Sequence, residues 1–237
     1  MENNILVRCS KLGALLTNPI SKKDKEEGNL SETTKTLAHD IFLRNEFGYK
    51  ENVYTDEMLK GLYCEQDSME LVQSVLGGEF RKRSGNQLKN KFIQGTPDIV
   101  LDSEDVVEDI KTSWDLRTFF NAELSKPYLA QGQGYMWLTG KKKYRLIYCL
   151  VPTPQEFILN EKKKLYYKFE CNEENIDYKN ACDQIDFNNN LILEIPNEKR
   201  IKKYEFDFDE TIIEEYKRKI IKLREYYSTL SINKLWE

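Results

Sequence analysis

The stretch 94–112, QGTPDIVLDSEDVVEDIKT, holds two aspartates and a lysine at a spacing that suits chemistry at a phosphate. Asp98 follows Pro97, ten residues separate it from Asp109, and Lys111 lies two positions further on. Side chains alternate along a strand, so Asp109 and Lys111 share a face with Val107 while Glu108 and Ile110 point the other way. A turn at 102–105 lets the preceding strand bring Asp98 beside them. Two converging carboxylates are costly unless a cation neutralises them. Hard oxygen ligands favour Mg²⁺, with Mn²⁺ as a substitute. A bound divalent ion acidifies its water, and a nearby ammonium can orient that water or hold charge on a phosphorane. The competing reading is a surface hairpin with cross-strand Asp–Lys pairs.

Two helices offer further groups. Gly61, Glu65, Ser68 and Val72 recur at steps of four and three, which sets Glu65 on a packing stripe. A rim carboxylate is the commoner fate of a helical Glu. Gln131 and Gln133 sit in YLAQGQGYMW, a nearly uncharged segment, and two amides there need partners. They could bond to backbone, or they could position a water or a phosphate.

Elements must place these residues. Residues 17–30 read as a polar loop. Ser31 reads as the N-cap of a helix ending near Gly48. Thr55 opens a second helix that Gly77 and Gly78 stop. Stretches 79–83, 91–94, 98–102 and 106–112 read as strands, largely joined as hairpins. A helix is expected over 125–139, closed by Gly140, then an apolar strand over 144–151. The stretch 160–200 is polar and stays unassigned. A last helix over 209–230 carries Ile213, Tyr216, Ile220, Leu223, Tyr227 and Leu230 at helical spacing. The order implies an α/β fold with a mixed sheet between helices. One domain over 1–237 is expected, with a core of about 31–151 and an extension of 152–237.

Composition narrows the function. The 237 residues carry a net charge of −4, yet basic clusters occur at 22–23, 81–83, 141–143, 162–164 and 199–203. Each alone reads as solvated surface; a DNA channel needs several to converge. Cysteines at 9, 64, 149, 171 and 182 are scattered, without the short pairs of a zinc site or a disulfide framework. His39 is the only histidine, and nothing pairs it with a nucleophile. No phosphate-cradling GxxxxGK[ST] occurs, which argues against an ATPase. No apolar run reaches membrane-spanning length, and the N-terminus lacks a signal peptide's basic start, so a cytoplasmic location is expected. Trp236 reads as core or interface filler.

The ordered set Gly61-x-x-x-Glu65, Thr96-Pro97-Asp98, Asp109-Ile110-Lys111 and Ala130-Gln131-x-Gln133-x-x-Met136-Trp137-x-Thr139 resembles the lambda-exonuclease-like (YqaJ-type) phage recombination nucleases of the PD-(D/E)XK superfamily. That resemblance implies a restriction-endonuclease-like core. It implies Asp98, Asp109 and the Ile110 carbonyl as metal ligands, with Glu65 completing the site towards a second Mg²⁺. Lys111 would activate water, and Gln131 matches the family's active-site glutamine better than Gln133. Ser10, nine residues before Pro19, resembles a serine that holds a 5′-phosphate. The family's upstream arginine falls near Asn3, leaving Arg8 as substitute; Arg117 and Gln133 are further candidate phosphate contacts. The family implies 5′-to-3′ digestion of double-stranded DNA ends in a phage or prophage setting. It also implies a single-strand annealing protein as partner and a trimeric homo-oligomer. Two other readings stand beside it: a repair or defence nuclease acting on single strands or internal sites, and a non-catalytic nucleic-acid or protein binding module.

Overall fold

The computed structural model describes residues 5–49, 54–82, 84–170 and 172–231. Asn3, Arg83, Cys171 and Trp236 fall outside them. In chain order the elements are β1 (Val7–Arg8), α1 (Leu12–Leu15), α2 (Lys22–Glu27), α3 (Glu32–Phe47), α4 (Asp56–Tyr63), α5 (Glu65–Leu76), β2 (Leu88–Lys89), β3 (Ile93–Gly95), β4 (Ile99–Leu101) and β5 (Val106–Thr112). Then come α6 (Leu116–Phe120), α7 (Lys126–Thr139), β6 (Lys143–Cys149), α8 (Gln155–Lys168), α9 (Ile176–Glu194), β7 (Ile201–Asp207) and α10 (Glu210–Ser228). The architecture is mixed α/β, as the order of sequence signals implied.

The described residues form two sheets. The larger runs β4-β5-β6-β7, with β5 and β6 parallel and both outer pairs antiparallel. The smaller runs β1-β3-β2, with β1 parallel to β3. The expected hairpin over 102–105 exists, joining β4 to β5 with Ile99 opposite Glu108. The other hairpin-like link does not: β3 and β4 belong to different sheets, and Thr96-Pro97-Asp98 carries the chain between them.

Caps set the helix limits. The Ser31 hydroxyl accepts from Thr34 N at 3.1 Å, and Gly48 closes α3 at φ 65°. Ser125 caps α7, Pro127 sits in its first turn, and Gly140 ends it at φ 75°. On one face of the larger sheet, Val107, Tyr144, Leu146 and Tyr148 join a core with α1, α3, α7 and α10. The other face packs Ile147 and Cys149 against Cys64, Leu71 and Val72. All of Ile213, Tyr216, Ile220, Leu223 and Tyr227 are buried, as their spacing predicts.

Several expectations are corrected. The loop over 17–30 contains the short helix α2, capped by Ser21 and ended by Gly28 at φ 69°. The helix after Thr55 is two helices, because Cys64 leaves helical geometry at φ −95°, ψ 12°. No strand forms at the described positions of 79–83. Arg81 is tethered there by its side chain, which donates to Glu108, Gln73 and the Gly77 carbonyl. The stretch 160–200 falls mainly in the helices α8 and α9, followed by the unforeseen strand β7. As an edge strand, β7 alternates half-buried and exposed residues and lacks an apolar run.

Close approach explains the glycines of α7. A Cβ on Gly132 would sit 2.6 Å from Phe206 Cζ and 2.7 Å from two ring carbons of Tyr144. One on Gly134 would meet Leu12 Cδ1 at 2.4 Å. Lys60, fully buried, holds α4 to the strand ends: its ammonium donates to Trp114 O at 2.6 Å, Val151 O at 2.9 Å and Thr153 Oγ1 at 2.9 Å.

Two substitutions test this packing. Gly132→Ala should lower stability by about 1–3 kcal/mol through overpacking, despite alanine's better helix propensity. Lys60→Met should cost at least about 1–3 kcal/mol, because buried oxygens lose their donor. Urea unfolding midpoints measure both; an unchanged midpoint would contradict the contacts described.

Candidate active site

The antiparallel register that sets Ile99 opposite Glu108 leaves Asp98 just beyond the end of the β4–β5 ladder. There its Oδ2 accepts from Ile110 N at 3.2 Å. A residue's N–H and C=O leave a strand on the same side. The Ile110 carbonyl therefore also faces the edge that Asp98 occupies. Asp98 and Asp109 stand close enough for each to shift the other's ionisation. Asp109 Oδ1 accepts from Lys111 Nζ at 2.7 Å, and its Oδ2 accepts from Tyr144 OH at 2.8 Å. Asp109 is 1% exposed, so every partner counts.

The electrostatics follow from this crowding. Burial, then the hydrogen bond and negative charge of Asp109, push the Asp98 carboxyl up to about 8. Burial works against the Asp109 carboxylate as well, but Lys111, Asp98 and Tyr144 outweigh it and hold its pKa low. Burial also disfavours the Lys111 ammonium, yet the two aspartates raise its pKa above the usual lysine range. One proton and one ammonium thus compensate two carboxylates. A divalent cation could replace that proton.

Lys111, Ile110, Asp98 and Glu65 line one cavity of about 640 Å³. Glu65 opens α5 after the break at Cys64, so the bend sets where its carboxylate enters the cavity. Much of the remaining wall is apolar or aromatic, including Tyr54, Met58, Leu62 and Trp114. Met58 and Leu62 are 54% and 59% exposed, an apolar face turned to the opening. Lys111 Nζ also lies 5.5 Å from the Tyr128 ring centroid. Among the described residues, no three His, Cys, Asp or Glu side chains stand together as a metal group. The oxygen donors that converge are the Asp98–Asp109 pair.

The glutamines separate. Gln133 is structural: it donates to Asp207 O at 2.9 Å, accepts from Asp209 N at 2.9 Å and is 2% exposed. Its expected phosphate contact is therefore withdrawn, since both ends of the amide tie α7 to the start of α10. Gln131, also buried, donates to Tyr135 OH at 3.0 Å one turn along the helix. Arg8 and Ser10 are exposed where β1 ends. β1 runs parallel to β3, with Arg8 paired to Gln94 and Gly95 against Cys9, and neither Arg8 nor Ser10 lines the cavity that holds Asp98. Arg117 is exposed on α6, next to Thr118 at the cavity rim. Tyr144 and Tyr128 were missed; they lie on another strand and a helix, and no spacing in sequence links them to Asp109.

Several cations of the basic clusters are already paired. Arg81 is buried against Glu108 at 2.7 Å, Lys141 pairs with Asp102, Lys162 with Asp186 and Lys164 with Asp56. Lys202 donates to the Phe120 and Ala122 carbonyls.

The fold has known counterparts. A phage related exonuclease from Haemophilus somnus 129PT matches with a TM-score of 0.76 at 26% identity, covering 98% of this chain and 97% of that one. The chain is a structural relative of phage-type exonucleases. An alkaline exonuclease (LHK-Exo) from Laribacter hongkongensis shares the fold with a TM-score of 0.61 at 11% identity, over 94% of this chain and 88% of that one. The same exonuclease in complex with dAMP gives a TM-score of 0.60 at 12% identity, with the same coverage. The resemblance drawn from the four short signatures is thus matched by the fold, including nearly all of 152–237. No protein-family model and no curated protein matches the sequence. No helix among the described residues is long and apolar enough to cross a membrane.

The shared proton gives a pH signature. With folded Asp98 at about 8 and an unfolded value of about 3.9, the folded state binds more protons between these limits. Stability of the metal-free protein therefore falls as pH rises from about 4 to 8. Asp98→Asn should remove that slope. In chelator, its thermal midpoint should exceed the wild type's by a margin that widens with pH; parallel curves would refute the carboxylate pair.

Proposed function

We propose that this chain is a metal-dependent deoxyribonuclease that digests linear double-stranded DNA from its ends, 5′ to 3′, in phage-type recombination. The observation that carries this reading is the Asp98–Asp109–Lys111 cluster beside a cavity of about 640 Å³ that Asp98 and Lys111 line. The exonuclease fold of the relatives supports it. The complex of one relative with dAMP supports a nucleotide product or ligand in this fold.

The donor set fits Mg²⁺, or Mn²⁺ in its place: two carboxylates in contact and a backbone carbonyl, all hard oxygens. When bound, the ion would supply an acidified water and neutralise phosphate charge. Asp98, Asp109 and the Ile110 carbonyl would hold it. Glu65, across the cavity, would serve a second ion. Lys111 would place its ammonium where charge develops on the phosphate. Gln131 would orient the helix face above the pair through Tyr135. The apolar wall of Tyr54, Met58 and Leu62 suits an unstacked base, because such a base has a π-face to bury. Arg8, Ser10 and Arg117 would meet phosphates at the rim. A single-strand annealing partner, a trimeric assembly and action in the host cytoplasm belong to the same proposal.

Lys111→Ala and Asp109→Asn should each reduce cleavage of linear duplex in Mg²⁺ by about 10²-fold or more, and EDTA should abolish it. Linear duplexes with 5′-phosphate, 5′-hydroxyl or blocked ends, labelled by strand, report polarity. A closed circular duplex should survive. Its cutting at the rate of the linear form would replace this reading with an internal-site nuclease, and Lys111→Ala at wild-type rate would remove the site itself.

A further inference from the structure

A second cavity, of about 260 Å³, lies between the 17–31 segment and α10. Among the described residues, Lys25, Arg218, Lys219 and Lys222 line it, and no Asp or Glu does. That imbalance stands out in a chain of net charge −4. It shares no lining residue with the candidate active site.

The cavity is held in shape by its own cations. Lys219, 8% exposed, donates to Thr17 O at 2.8 Å and Asn18 Oδ1 at 3.0 Å. Lys222 donates to the carbonyl of Gly28 at 2.6 Å, a residue held at φ 69°, where glycine is favoured. These bonds use two of the three protons of Lys219 and one of Lys222. Glu215 approaches Lys219 and Arg218 only at 3.9 and 3.8 Å, outside hydrogen-bonding range. Burial depresses the Lys219 pKa, and the charges of Arg218 and Lys222 depress it further against the pull of Glu215. Like charges crowded in this way are relieved by an anion. Leu30 and Ser31 line the cavity at the start of the sixteen-residue helix α3, whose dipole has the same sign.

We propose that this cavity binds a phosphate group. Its volume suits one phosphate with water, and among the described residues no aromatic ring lines it to receive a base. Recognition there would be independent of sequence. The phosphate could belong to a DNA strand running beyond the active site or be free in solution. The strand source rests on the nuclease reading; the phosphate chemistry does not.

Lys25→Gln with Arg218→Gln removes two cations that hold no loop carbonyl. The test uses the full chain, with Asp109→Asn as background for DNA binding. Inorganic phosphate should raise the wild-type thermal midpoint and leave that of the double variant nearly unmoved, while chloride at equal ionic strength moves neither. For duplex DNA, the slope of log K against log salt should shrink by about 0.9 per lost phosphate contact. A phosphate shift with an unchanged DNA slope supports a site for free phosphate; both changes together support a strand phosphate. Lys22→Gln with Lys23→Gln, on the exposed face of α2, is the control. If phosphate stabilises neither protein selectively, or if the control changes both readouts equally, the proposal is overturned. Loss of cleavage with Lys111→Ala bears only on the nuclease reading, so the two can fail separately.

Discussion

Two carboxylates held in contact inside the fold, Asp98 and Asp109, are the constraint to which the surrounding structure answers. Left alone they repel, and burial makes each charge more costly. The structure offsets that with an ammonium two residues away, a tyrosine hydroxyl from the next strand and a backbone amide. Each partner depends on a different feature. Lys111 depends on strand alternation, Tyr144 on the parallel β5–β6 register, and the Ile110 amide on β4 ending where it does. A carboxylate pair kept in this state must be compensated, and in this fold a retained proton and the Lys111 ammonium do so.

The same alternation gives neighbouring acids opposite jobs. Glu108, next to Asp109, points to the other face and is fully buried between Arg81 at 2.7 Å and Arg145 at 2.5 Å. Arg145 extends the network to Glu104 and Glu205. Glu108 is therefore neutralised by fixed arginines, whereas Asp109 is compensated by a lysine beside a cavity. The Glu108 pairs also tether the chain after α5 to the central strand, so the segment around Arg81 needs no ladder of its own. Opposite them, Gly132 lets α7 press onto Tyr144 and fixes the hydroxyl that Asp109 accepts from.

The strand hairpin and the shared face of Asp109 and Lys111 were legible because they are local. Pro97 before Asp98, the turn at 102–105 and alternation through Val107, Asp109 and Lys111 need only backbone geometry. The caps Ser31 and Ser125, the stops Gly48 and Gly140, and the apolar stripe of α10 were legible for the same reason. Gln131 and Gln133 show the limit. They sit two apart in one helix with similar surroundings, yet one amide faces a tyrosine of its own helix and the other closes the entry to α10. Nothing in their spacing separates them.

The sequence by itself determined which residues could do chemistry, since charge, alternation and turn formation act over a few positions. Tertiary structure decided which of them meet. It set Glu65 on the cavity through a bend at Cys64, supplied Tyr144 and Tyr128 from distant elements, and turned Arg81 inward. It also gathered Lys25 with Arg218, nearly two hundred residues apart, around one cavity. Contacts between distant segments arise from packing the whole core, where burial and close approach select partners that local patterning does not encode.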